Sequence, residues 1–191
     1  MRSGYGGSVR AMSSLRPASL LLLVAIVAGG LVAAVAGAAS GPAARDAAAK
    51  KISPTRVDGV HLGDTHTDLR ARGKVGKIRR GCELGGPDTR SARLLPPLKG
   101  SVNYTLEDPR SVESITVRGG ARARGVGIGA TIPQIKAKFP HARINHNTDE
   151  VFQVTLVQTP RRPRGGRITF AVSTQTHRTT LIGVPFIAFC E

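Results

Sequence analysis

The chain has 191 residues, with 28 basic against 12 acidic side chains and a formal charge of +16. Its length leaves room for one domain with a modest core. Two cysteines without CxxC spacing exclude a structural zinc site. The charge excludes partners of like sign. Inside a cell it selects nucleic acid, and outside it selects anionic polymers, anionic lipid surfaces or acidic proteins.

Residues 20–39 are uncharged and consist only of Leu, Val, Ala, Ile and Gly. Arg2, Arg10 and Arg16 precede them without any acid, and Ala36, Gly37, Ala38 and Ala39 close the run. A positive segment, an apolar segment and small residues at the end make a secretory signal over residues 1–39, with cleavage after Ala38 or Ala39. The alternative is a retained membrane anchor through residues 20–39, which are just long enough to span a bilayer. No Arg-Arg pair precedes the apolar run, which favours the general secretion route. Removing the three arginines with the signal lowers the charge from +16 to +13. Residues 40–57 contain Gly41, Pro42 and Pro54 and show no apolar periodicity, so they read as a flexible linker.

From residue 58 the chain writes one pattern twice. Residues 59–72 read GVHLGDTHTDLRAR, and residues 125–138 read GVGIGATIPQIKAK. Thr65 with Asp68, and Thr131 with Gln134, have capping-box spacing. Pro133 suits a first helical turn, where its missing N–H costs nothing. Leu69 and Ile135 take matching buried positions. Arg70, Arg72, Lys136 and Lys138 suit the negative end of each helix, and Gly73 and Pro140 stop them. Two short helices are predicted near 66–72 and 132–139.

The echo continues as strands. Val102, Tyr104 and Leu106 stand at alternate positions, as do Ile168, Phe170 and Val172. Ile115 and Val117 match Leu181 and Gly183, beside Ile182 and Val184. Residues 151–157 form a further strand rich in β-formers, with a weaker counterpart around 91–95 before Pro96 and Pro97. The predicted fold is α+β, with two tandem repeats at 58–123 and 124–191. Each repeat is a short helix followed by a three- to four-stranded antiparallel meander. Strands in sequence without helical crossovers argue against a parallel sheet.

The G-x-x-[LI]-G-x-T-x-x-[DQ]-[LI] opening with its meander resembles the repeat of β-lactamase-inhibitor-protein-like folds and the related small outer-membrane lipoprotein A fold. The chain is also similar to secreted actinobacterial proteins ending in a G-[VI]-P-F-I-A-F-C tail, here residues 183–190. The resemblance covers about residues 57–191 and implies the fold and an extracytoplasmic interaction role. The inhibitor family carries a cysteine pair within each repeat, whereas here each copy holds one cysteine, and no inhibitory residue carries over.

Exported cysteines pair, so a bridge between Cys82 and Cys190 is expected to tie the copies together. Gly125, Gly127, Gly129 and Ala130 fit G-x-G-x-x-A formally, but the following helix is too short for a dinucleotide site, and no cofactor is expected. His61 with His66, and His141 with His146, stand five apart, which is not one helix face. They read as surface histidines, and no metal is expected. No positioned acid, base or nucleophile is found, so the chain is expected not to be an enzyme. Arg161, Arg162, Arg164 and Arg167 crowd a loop between two strands, and four arginines there make a candidate anion-binding tip. Lys77, Arg79, Arg80, Arg122 and Arg124 extend it. The expected partners are anionic cell-wall polymer or lipid headgroups, or else a secreted protein that the chain binds as an inhibitor or interaction partner. Nucleic acid leads only if the chain is not exported.

Overall fold

The structure, a computed structural model, describes residues 50–82, 85–163 and 165–189. The signal sequence with Ala38 and Ala39, and also Arg164 and Cys190, lie outside the described residues.

Structure begins earlier than the sequence suggests. β1 (Lys50–Ser53), β2 (Arg56–Val57), β3 (Val60–His61) and β8 (Ala121–Arg122) form a small sheet in the order β3-β2-β1-β8. β1 runs parallel to β8, and the other pairs are antiparallel. Residues 50–57 are therefore not linker, because Ile52 and Val57 pair across β1 and β2 and enter the core. Strands of two to four residues are too short to show a period, and their burial comes from tertiary pairing.

Both predicted helices are present, as α1 (His66–Ala71) and α2 (Ile132–Lys138). Gly63 and Gly129 precede them with φ of +87° and +86°, a left-handed turn that explains the shared glycine. Around α2 the capping box is complete. The Gln134 amide donates to Thr131 Oγ1, and Gln134 Oε1 accepts from the Thr131 amide at 2.9 Å. Around α1 it is half made, because Asp68 Oδ2 accepts from the Thr65 hydroxyl at 2.7 Å instead of reaching back to the cap amide. Leu69 and Ile135 are fully buried beneath their helices.

The remaining strands build one antiparallel sheet of eight. β4 (Val75–Arg80), β5 (Arg90–Leu94), β6 (Lys99–Tyr104) and β7 (Val112–Gly119) follow α1 as a meander. β9 (Arg143–Asn145), β10 (Val154–Gln158), β11 (Thr169–Ser173) and β12 (Thr179–Val184) follow α2 in the same way. The order is β4-β5-β6-β7-β12-β11-β10-β9, so the two meanders meet where Ile115, Thr116 and Val117 face Val184, Gly183 and Ile182. The chain is α+β in the broad sense, dominated by antiparallel strand.

One face of this sheet carries the core. Ala92, Leu94, Val102, Ile115 and Val117 join Phe170, Val172, Ile182 and Val184 there, together with Leu69, Ile135 and the small sheet. At roughly 25 cal/mol per Å² of apolar surface this packing is the main stabilising term. Val102 and Tyr104 share the core with Ile168 and Phe170, 66 positions later. In the last strand of each meander the correspondence slips by one. Ile115 and Val117 share their face with Ile182 and Val184, whereas Leu181 packs on the opposite face.

Two further expectations are corrected. Val151 and Phe152 are not strand but the end of a short helix, α3 (Asp149–Phe152), and both are exposed. The hydrogen bond between His146 Nδ1 and Asp149 Oδ2 at 2.8 Å anchors the start of that turn, and the left-handed Gln153 (φ +52°) ends it. The strand starts only at Val154. Leu106 lies beyond β6 and is exposed rather than buried.

Candidate anion-binding site

The face of the sheet turned away from the core differs between its two halves. Across β10, β11 and β12 it is apolar, and Val154, Leu156, Ala171 and Leu181 are capped by the chain's own end through Ile187 and Phe189. This C-terminal segment, residues 185–189, is held down at several points. Thr169 Oγ1 and Arg167 Nε donate to the Pro185 carbonyl at 2.9 and 3.2 Å. The rings of Phe152 and Phe189 stack at 4.5 Å. Gly183 gives the segment room to cross, because a Cβ there would collide with the Phe186 carbonyl oxygen.

Across β4 to β7 the same face is polar and open. Register places Arg93, Ser101 and Thr116 in one row over β5, β6 and β7, and Arg79, Ser91, Asn103 and Ser114 in the next over β4 to β7. Of these rows Ser101, Asn103 and Thr116 line a groove of about 880 Å³, together with Gly100, Leu94 and Leu98. Gly100 lets β6 and β7 approach closely, since a Cβ there would strike the Thr116 carbonyl oxygen. Arg79, Arg80, Arg93, Lys99 and Arg118 line the groove, and all are exposed. Cys82 and Ala188 also line it, so the C-terminal segment forms part of its wall.

Every charged side chain among the described lining residues is cationic. None of the five is ion-paired among the described residues. Among the described acids, Asp58 pairs with Lys50 and Lys74, Asp64 with Arg72, and Asp108 with Arg110. Unneutralised like charges raise the local concentration of anions and present guanidinium forks suited to phosphate, sulfate or carboxylate. The floor holds one further feature. Thr116 is only 4% exposed, and its Oγ1 has no hydrogen-bond partner among the described residues. A buried hydroxyl left unpaired costs about 1–3 kcal/mol. Asn103, by contrast, donates to Ser114 Oγ at 3.2 Å and is satisfied. The lining contains hydroxyls, but no histidine or carboxylate among its described residues to take a proton from them.

The arginine loop, which lies between β10 and β11, divides. Arg161 and Arg162 are exposed, as expected. Arg167 instead turns inward to Pro185 and to Gln158 Oε1, at 3.2 and 3.3 Å. Burial, and then the charge of Arg161, pull its pKa below the usual guanidinium range. Four arginines on one tip is therefore incorrect, because Arg167 braces the C-terminal segment. Arg161 and Arg162 line a separate pocket of about 550 Å³, whose lining also includes Ile52, Phe139, Ala142, Ile168, Lys51 and Arg124. The Arg124 guanidinium stands 5.4 Å from the centre of the Phe139 ring.

The histidines do not converge. His66 Nε2 donates to the Gly76 carbonyl at 3.1 Å and meets the Tyr104 ring edge-on. His146 pairs with Asp149, holding that carboxyl below its ordinary range, with help from Thr155 and against the effect of burial. Burial pushes the Tyr104 hydroxyl up to about 12. No cluster of metal-ligating side chains occurs among the described residues. Cys82 Sγ lies 3.5 Å from the Phe189 carbonyl oxygen, one residue before Cys190.

Sequence reading pointed to Arg79 and Arg80 only as an extension of the loop and passed over Arg93, Lys99, Arg118 and Thr116. A signal was present. Residues 91–93, 101–103 and 114–118 place Ser, Thr, Asn or Arg at every second position, the mark of a strand face with no apolar cover. No family model matches the chain, and neither a curated protein nor a solved structure does so. No helix among the described residues is long and apolar enough to cross a membrane.

Proposed function

We propose that this is a secreted or envelope-associated, non-enzymatic binding protein that holds anionic cell-wall polymer on the open half of its sheet. The observation that carries the reading is the groove over β4 to β7, with five cations and no described carboxylate in its lining. A lining with five cations and no aromatic side chain among its described residues suits a charged strand better than a neutral sugar. Exposed Arg161 and Arg162, outside the groove, present guanidinium groups suited to lipid headgroups.

The same reading takes the chain as two tandem repeats of the β-lactamase-inhibitor-protein-like kind, each a helix and a four-stranded meander. The matched glycines and threonine caps before α1 and α2 favour it. Residues 1–39 act as the signal, and Cys82 pairs with Cys190. The approach of Cys82 to Phe189 favours that pairing.

The test is to incubate the purified full-length chain with the host's culture supernatant and envelope fraction, in low and in raised salt. Wall polymer retained at low salt and released at raised salt is expected, since exposed charges are screened within about 8 Å at physiological ionic strength. Arg93→Ser with Arg118→Ser is expected to abolish that retention. Retention unchanged in the double variant would remove the groove from the account. One protein held equally at both salts would instead favour an inhibitor acting through a sheet face.

A further inference from the structure

The pocket beside the arginine loop has a different chemistry from the groove. Its floor is apolar and reaches the core through Ile52 and Ile168, while Lys51, Arg124, Arg161 and Arg162 stand around it. Every fully charged side chain among its described lining residues is again cationic. An apolar hollow of about 550 Å³ with a few convergent polar groups is the usual form of a small-molecule site. Its walls are stiff. Pro160 and Pro163 bracket the two arginines, and the guanidinium of Arg124 is set over the Phe139 ring.

Neither half of the pocket explains the other half's ligand. A polymer of charges would leave the apolar floor wet, and a free inorganic anion would do the same. A neutral alkyl chain would cover the floor but leave the charges of Arg161 and Arg162 unanswered, and Arg124 with only the Lys138 carbonyl and the Phe139 ring. A molecule carrying both features uses both, with a hydrocarbon chain on the floor and an oxyanion head between Arg161, Arg162 and Arg124. We infer that this pocket binds a single-chain amphiphile with an anionic head, one molecule to each chain. The site stands apart from the groove and does not depend on the polymer reading.

The test uses the full-length chain and dodecyl phosphate below its micelle concentration, with calorimetric titration as the readout. Saturable binding of one molecule per chain is expected, with dodecyl maltoside and inorganic phosphate each far weaker. Arg161→Ser and Arg162→Ser are exposed changes that spare the fold, and together they are expected to weaken binding by at least about tenfold, the loss of charged hydrogen bonds. His141→Trp, at the exposed rim, is expected to block entry, whereas Arg93→Ser with Arg118→Ser leaves binding unchanged. Inorganic phosphate binding as tightly as dodecyl phosphate would overturn the inference, because the floor would then be idle. So would dodecyl maltoside binding equally well, or a loop variant that keeps full affinity. Binding to anionic vesicles without binding of the monomer would assign the arginines to a membrane surface instead.

Discussion

Replacing Thr116 by valine isolates one hydroxyl from everything around it. The two side chains share shape and strand preference, so β7 keeps its register and the floor of the groove its contour. In the free protein Thr116 Oγ1 is buried and unpaired. Removing it is expected to raise stability by about 1–2 kcal/mol, within the cost of a buried unsatisfied hydroxyl. For a domain of this size that is a rise of a few degrees in Tm. If bound polymer reaches the floor, the same hydroxyl donates to one of its anionic oxygens, a bond worth about 1.5–3 kcal/mol, and affinity is expected to fall by roughly ten- to a hundredfold. Thermal unfolding of the free chain and titration with polyphosphate read the two quantities separately, and the signs are opposite. Thr116→Ser keeps the hydroxyl and is expected to retain affinity. If Thr116→Val melts lower than the parent, the hydroxyl already has a partner. If it melts higher yet binds equally well, the ligand does not reach the floor.

Gly183→Ala is expected to lift residues 185–189 off the sheet, because the new methyl meets the Phe186 carbonyl and Ile187; fluorescent-dye binding to the bared apolar face and a lower Tm check it. Cys82→Ser should cost roughly 4–5 kcal/mol if a bridge closes a loop of about 100 residues. Thiol titration of the unfolded, unreduced parent chain should find no reactive thiol, and two would refute the pairing. Asp149 titrates below the ordinary carboxylate range because His146 bonds its charged form. Its contribution to stability is therefore present above that range and is lost as pH falls through the lowered midpoint. His146→Ala should move the midpoint up in a carbon-detected NMR titration, and an unmoved midpoint would assign the shift to other groups. Thr131→Ala removes the hydroxyl half of the capping box and should cost about 1 kcal/mol in chemical denaturation, against no loss if the α2 N-terminus is solvated instead.

What could be read in the sequence was local. The caps at Thr65 and Thr131, the turn glycines and the buried Leu69 and Ile135 depend on neighbours within a few positions, and the structure has them where the sequence places them. Most of the misreadings share one cause, which is that tertiary pairing overrode local pattern; Val151 and Phe152, fixed by a contact three positions apart, are the exception. Ile52 and Val57 sit in short strands whose partners include a segment some seventy positions away. Val151 and Phe152 have strong strand preference, but the His146–Asp149 pair and the left-handed Gln153 fix a helical turn there. Arg167 looked equivalent to Arg161 in a run of arginines, and only the fold brings the Pro185 carbonyl to it. The alternating polar residues mark an uncovered strand face, but the cation cluster over it does not show in the sequence, for the same reason. Arg79, Arg93 and Arg118 come from three strands that meet only in register, and each alone reads as a solvated charge.

The place of β12 has a consequence for how the chain is made. It is the last strand in sequence, yet it lies between β7 and β11, in the middle of the eight. Each meander can form as its own residues emerge, but the two have no common edge until residues 179–184 arrive. A stop codon ahead of that segment would not trim the protein. It would divide it, leaving β7 and β11 as raw margins with a full row of unpaired amides and carbonyls, open to pairing with any other chain. β12 is thus the keystone of the sheet, and the two meanders become one body only once residues 179–184 have been made.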